Sequence, residues 1–257
     1  MSKKEVVSLK NVSLKYHSLE GETHAIDDIS FSVNQGEFIG IVGPSGCGKT
    51  TILSLIAGLI RPTKGQVLVD GRILDGPSTD VGYMLQQDYL FEWRTIIKNV
   101  LLGLEIHGKA NQESRAKVER LLETYGLGDF KNNYPDQLSG GMRQRAALIR
   151  TLAIDPKILL LDEPFSALDY QTRLAMSDEV STIIRKEDKT ALLVTHDISE
   201  AISMSDRVLV LSQRPASIKT IHEIQLTSEK PNPISRRQAP EFREYFNTIW
   251  KELDVHV

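Results

Sequence analysis

Unbroken apolar runs, rather than alternating ones, mark four short stretches of the chain: residues 38–43 (FIGIVG), 157–164 (KILLLDEP), 190–197 (TALLVTHD) and 206–212 (DRVLVLS). Strands covered on both faces read this way, so these four predict a buried parallel sheet. Helix-like segments lie between them, as parallel crossovers require, and the expected class is α/β. Residues 7–16 (VSLKNVSLKY) alternate instead and run into a polar turn, HSLEGETHA. Residues 65–74 (GQVLVDGRIL) alternate around Asp70-Gly71. Both predict antiparallel strands at the sheet edge or in a side sheet.

The texture changes over residues 87–155. Helical periodicity appears at 114–127 and again at 139–154, where Ala146, Ile149 and Ala153 share one face. Asp155-Pro156 ends the second segment, because the residue before proline is driven out of the helical region. The expectation is one domain: an α/β core from 1–86 and 156–225, a helical subdomain inserted at 87–155, and an extension from 226–257. In that extension Phe242, Phe246 and Trp250 recur at four-residue steps, which predicts an amphipathic helix over 241–255 with one aromatic stripe packed on its own core.

Composition narrows the field. The chain has 257 residues, 40% hydrophobic and 25% charged, with net charge −3. No global basic field points to nucleic acid. Cys47 is the only cysteine, so no internal disulfide forms, in keeping with a reducing compartment. The N-terminus is polar and lacks the apolar segment of a signal peptide. No apolar run approaches the ~18 residues of a membrane span, so any link to a membrane is expected through a partner.

The chemistry concentrates at residues 43–51, GPSGCGKTT, placed after an apolar strand and before an apolar helix. Gly43 to Thr50 fit G-x-x-x-x-G-K-[ST]. Glycines let the backbone curl so that successive N–H groups point at one anion at a helix N-terminus. Lys49 adds a charge for the β- and γ-phosphates, and the Thr50 hydroxyl can ligate Mg²⁺. A nucleoside triphosphate is the expected ligand. Asp162 and Glu163 end the run ILLLDEP, where strand carboxyl ends face the ligand crevice. Asp162 can hold Mg²⁺ through water, and Glu163 can take a proton from an attacking water. Ser139 opens the helix of LSGGMRQR as an N-cap, and with Gly140 and Gly141 it makes a second anion site at a helix end. One nucleotide needs one cradle, so the second suggests that another copy's nucleotide docks there.

Taken together, GPSGCGKTT, LSGGMRQR, ILLLDEP, SALD (166–169) and VTHD (194–197) resemble the ATP-binding subunit of ATP-binding-cassette (ABC) transporters, in order and spacing, over roughly residues 5–225. The resemblance implies a P-loop ATPase core with an antiparallel side sheet, and two domains packed head to tail with ATP and Mg²⁺ between them. It implies that Gly43, Pro44, Ser45, Gly46, Cys47, Gly48, Lys49, Thr50 and Thr51 cradle the phosphates of one ATP. Ser139, Gly140 and Gly141 would bind the partner's γ-phosphate. Tyr16 matches the aromatic residue that stacks on adenine, although an edge-strand tyrosine also serves as core. Gln86 matches the glutamine that reaches Mg²⁺ and water; a one-residue slip would give Gln87. His196 resembles the switch histidine at the γ-phosphate, and Asp169 the residue that couples the two sites.

DYLFEWRTI, after the two glutamines, is similar to LLPWRT of importer ATPases of the nitrate, sulfonate and taurine group: Trp93, Arg94 and Thr95 match, while Phe91 and Glu92 replace Leu and Pro. The resemblance thus implies an importer subunit on the cytoplasmic face of the membrane, in a homodimer partnered by transmembrane permease subunits and, indirectly, by an extracytoplasmic solute-binding protein. Trp93 would line the groove for a permease helix, or pack within its own subdomain. An ABC protein acting on nucleic acid or ribosomes is the alternative; the segment between Lys49 and Leu138 is too short for the coiled-coil or zinc inserts of repair members. Finally, Cys47 beside Lys49 at a helix N-terminus is expected to be a reactive, low-pKa thiol protected by ATP.

Overall fold

The computed structural model describes residues 4–18, 21–230 and 232–253. Strand β1 (Glu5–Ser18) pairs antiparallel with β2 (Gly21–Asn34) and with β4 (Lys64–Val69), and β4 pairs with β5 (Arg72–Ile73). This is the side sheet, in the order β2-β1-β4-β5. The polar segment expected to be a turn is mostly strand: β1 and β2 both run into it, and its residues 19–20 lie outside the described residues.

The second sheet is built around β3 (Phe38–Val42), with β6 (Val81–Met84), β7 (Ile158–Asp162), β8 (Thr190–Val194), β9 (Arg207–Leu211) and β10 (Ile218–Glu223), in the order β10-β9-β3-β8-β7-β6. Every residue of β3, β7 and β8 is buried, which is why these strands read as unbroken apolar runs. All pairs are parallel except β9–β10.

Helix α1 (Lys49–Ile56) follows β3 directly. Three consecutive helices then separate β6 from β7: α2 (Ile96–Ile106), α3 (Gln112–Thr124) and α4 (Gly140–Ala153). A capping box between Asn111 and Ser114 starts α3, and the Ser139 hydroxyl accepts from the Met142 N–H to start α4. Ala146, Ile149 and Ala153 are buried as their spacing predicts. Beyond β7 come α5 (Tyr170–Lys186), α6 (Ile198–Met204), α7 (Pro233–Arg236) and α8 (Phe242–Glu252). Apolar clusters lie on both faces of the parallel sheet: one joins it to α2–α5, the other joins it to α1 and the side sheet. That layering holds the carboxyl ends of β3, β7 and β8 rigid.

The C-terminal stripe differs from expectation. Ile249 is the fully buried residue of α8; Phe242, Tyr245, Phe246 and Leu253 pack partly around it, and Trp250 is 44% exposed. The buried face follows the i, i+3, i+4, i+7 rhythm of a helix rather than four-residue steps, which drift around the axis. Residues 254–255 of the expected helix lie outside the described residues. Just upstream, the extension grips α6: Arg236 donates to the carbonyl oxygens of Ile202 and Ser205. Burial pushes its guanidinium down to about 10.

Candidate functional site

The turn from β3 to α1 needs conformations that side chains resist. Gly46 has φ +69 and Gly48 φ +127, so residues with a Cβ would strain the loop there. The loop curls around Lys49, whose Nζ donates to the carbonyl oxygens of Gly43 and Pro44 at 2.8 and 2.9 Å. Ser45, Gly46, Gly48, Lys49, Thr50 and Thr51 line a cleft of about 550 Å³ together with Gln86, Glu163 and His196. Tyr16 stands at its edge, 43% exposed, with its hydroxyl 3.3 Å from Thr51 Oγ1. It is therefore a surface ring beside the loop and not a core tyrosine.

Three side chains converge within the cleft. Gln86 Nε2 donates to Glu163 Oε2 at 3.1 Å, and His196 Nδ1 lies 3.3 Å from the same oxygen. Glu163 adopts φ +47, unusual for a residue with a side chain, and is held there by its N–H bonding the Val194 carbonyl at 2.8 Å. Strain of this kind persists where the surroundings over-determine it. Its neighbour Asp162 is 1% exposed, and its Oδ1 has no hydrogen-bond partner. Burial pushes the Asp162 carboxyl up from its ordinary value, against a hydrogen bond from Thr50. A buried carboxylate oxygen left open beside a threonine hydroxyl is a donor set that suits a hard divalent cation.

Several contributors escaped the sequence reading. The Tyr83 hydroxyl donates to Asp162 Oδ2 at 3.4 Å. Gln144, in the helix that Ser139 opens, donates to the Glu163 carbonyl at 3.3 Å and accepts from the Ala167 N–H. Asp88 receives Arg143 at 3.2 Å, and Arg150 binds the carbonyl oxygens of Asp88 and Tyr89. The segment after Gln86 is thereby fastened to α4. Polar residues inside a helical pattern carry no mark of such roles: Arg143 and Gln144 lie in LSGGMRQR and Asp88 in DYLFEWRTI, yet nothing in those stretches assigns them these contacts.

Other expected residues stand apart. Ser139 and Gly140 are exposed, and Ser139, Gly140 and Gly141 do not line the cleft around Lys49. Asp169 is exposed and caps α5 through Thr172, whose hydrogen bond holds its carboxyl below the usual range. Trp93 is 75% exposed and touches Phe91, with ring centroids 4.8 Å apart. The expectation for Cys47 is overturned. Its side chain is 1% exposed, and burial pushes the thiol up, outweighing the nearby Lys49 charge.

Comparison with known proteins decides the family. Residues 26–166 match the model of the ABC transporter family. The chain is a member of that family. It is 51% identical over 244 residues to the uncharacterized ABC transporter ATP-binding protein YtlC of Bacillus subtilis, covering 95% of this chain and 94% of that one. It is 41% identical to the nitrate import ATP-binding protein NrtD of a Synechocystis strain, covering 89% and 88%. Its fold matches a dimeric, post-hydrolysis structure of the ATP-binding cassette MJ0796 bound to ADP and Pi, with TM-score 0.76, 32% identity, and 85% and 99% of the two chains covered. This is therefore an ABC ATPase.

Proposed function

We propose that this ABC ATPase is the energy-supplying subunit of an importer, working as a head-to-tail pair of identical chains beneath separate permease subunits. The observation that carries the reading is the split site. Lys49, Gln86, Glu163 and His196 share one cleft, while the Ser139 helix end lies outside it. A second copy would bring its own Ser139, Gly140 and Gly141 to the γ-phosphate held here. In this reading residues 1–86 and 156–225 form the ATP-binding core, 87–155 the signature subdomain and 226–257 an extension.

Each residue then has a task. Tyr16 stacks on adenine. Backbone N–H groups of the loop over residues 45–51 and Lys49 hold the phosphates. Glu163 takes the proton of the attacking water, with Gln86 and His196 orienting its carboxylate. His196 also meets the γ-phosphate, so loss of that phosphate after hydrolysis is felt at the switch turn. Thr50, Asp162 and Gln86 would hold Mg²⁺, which when bound neutralises charge on the β- and γ-oxygens. ATP closes the pair by bridging both surfaces; hydrolysis removes the bridge and reopens it. Exposed Trp93 and Phe91 offer an aromatic anchor for a permease helix.

Among the described residues no helix is long and apolar enough to cross a membrane; in the proposed assembly the chain meets the cytoplasmic face through its permease partners. A solute-binding protein would act on the far side, without touching this chain. The match at Trp93, Arg94 and Thr95 and the nitrate-import relative favour a small anion as cargo; the net charge of −3 disfavours nucleic acid as partner. The test is recovery of tagged Glu163→Gln from native membranes in ATP and Mg²⁺. Co-purification of a multi-span protein is expected. Recovery of ribosomes or nucleic acid without a membrane protein would overturn the importer reading.

A further inference from the structure

We infer that Arg173 is a positioning residue that couples the turn ending at Asp169 to the turn carrying His196, an inference that rests on the proposed roles of Glu163, His196 and Asp169. Arg173 lies in the first turn of α5, and its side chain reaches two loops at once. Nη2 donates to the Leu168 carbonyl at 3.0 Å, one residue before Asp169. Nη1 lies 3.7 Å from Asp197 Oδ2, and Nε lies 3.8 Å from Glu200 Oε1.

The far side of this bridge is built as one unit. Thr195 Oγ1 donates to Glu200 Oε2 at 2.7 Å and accepts from the Asp197 N–H at 3.0 Å. Asp197 Oδ1 accepts from the N–H groups of Ser199 and Glu200. These bonds lock Thr195, Asp197 and Glu200 together. The His196 side chain leaves the turn, 62% exposed, and reaches Glu163. Moving the guanidinium therefore moves the base on which His196 stands.

Simple charge neutralisation does not account for the geometry. The Glu200 side chain is 4% exposed and needs a cation nearby. Yet Arg173 Nε is buried without a hydrogen-bond partner: both carboxylate contacts are longer than hydrogen bonds, whereas the Leu168 bond is made. A shift of roughly 1 Å in the Leu168–Asp169 turn would exchange one set of contacts for the other. Only the forked guanidinium spans three acceptors; a lysine ammonium supplies the charge without the fork.

The experiment compares Arg173→Lys and Arg173→Met with the unaltered full chain, reading kcat and KM for ATP and the thermal midpoint. In Arg173→Lys the midpoint should hold, while kcat falls roughly 3- to 30-fold, the scale of coupling carried through intermediary residues. KM should stay within about twofold, as expected when binding is untouched. Combined with Asp169→Ala, the loss should be smaller than the product of the two single losses, because both interrupt one route. Normal kcat in both variants, a loss confined to KM, or independent multiplication with Asp169→Ala would each overturn the inference. Glu163→Gln and His196→Ala are run alongside: if they hydrolyse ATP normally, the site reading itself fails; if they do not while Arg173→Lys does, only the role of Arg173 fails.

Discussion

Gln86 and Glu163, far apart in sequence, meet at 3.1 Å through Nε2 and Oε2. The contact separates two adjacent glutamines that the sequence leaves open. Gln86 lines the cleft, and Gln87, though exposed, does not. Gln86→Ala should therefore lower kcat by roughly 10- to 1000-fold, in the range of lost transition-state contacts, while Gln87→Ala stays near normal. Steady-state hydrolysis of the two variants checks this.

Asp162, the proposed Mg²⁺ ligand, is buried at a cost to stability. Its folded pKa is raised by burial, so its contribution is fully present below the unfolded value and is lost as pH rises through the folded one. Burial disfavours its charged form, and the nearby Lys49 charge offsets this only in part. Asp162→Asn should raise the thermal midpoint of the nucleotide-free protein by a few degrees and abolish Mg²⁺-dependent hydrolysis. A midpoint that falls instead would show that the buried charge is already compensated.

Cys47 should resist thiol reagents. With the thiol buried and its pKa raised, little thiolate forms at neutral pH. Maleimide labelling of the native chain should be slow with or without ATP, and fast after unfolding. The same shift predicts a contribution to stability that is present below the unfolded thiol value and is lost as pH rises through the folded value.

The parallel core was legible because complete burial leaves no room for polar positions in β3, β7 and β8. The short β6 hid because Gly82 interrupts it, and that glycine is required: a Cβ there would come within 2.6 Å of Pro156 Cγ. The polar edge strand β10 alternates exposed and half-buried residues and carries little apolar signal. The glycine loop, Glu163 and His196 were readable as motifs, whereas Tyr83 and Arg173 were not, and Gln144 lay in a motif that did not show its contacts. Their roles depend on which loops the fold brings beside them. Cys47 was misjudged because sequence places it near Lys49 but does not say which way its side chain turns.

Trp93 is exposed on a loop, and its ring rests only on Phe91 among the aromatic contacts of the described residues. Trp93→Ala should leave folding stability within about 0.5 kcal/mol, as for surface substitutions, and leave hydrolysis by the isolated chain unchanged. It should reduce recovery of the membrane partner in the pull-down. Loss of stability without loss of the partner would assign the ring to internal packing.

The most direct measurement is the mass of Glu163→Gln in solution, by sedimentation, with and without ATP and Mg²⁺, beside its rate of hydrolysis. A two-copy site predicts a monomer that becomes a dimer on ATP, with turnover reduced by roughly 10²–10⁴, the usual worth of a general base. Adding Ser139→Tyr should block the dimer while leaving ATP bound. A chain that stays monomeric with saturating ATP while hydrolysing it at the unaltered rate would contradict both the split site and the role of Glu163.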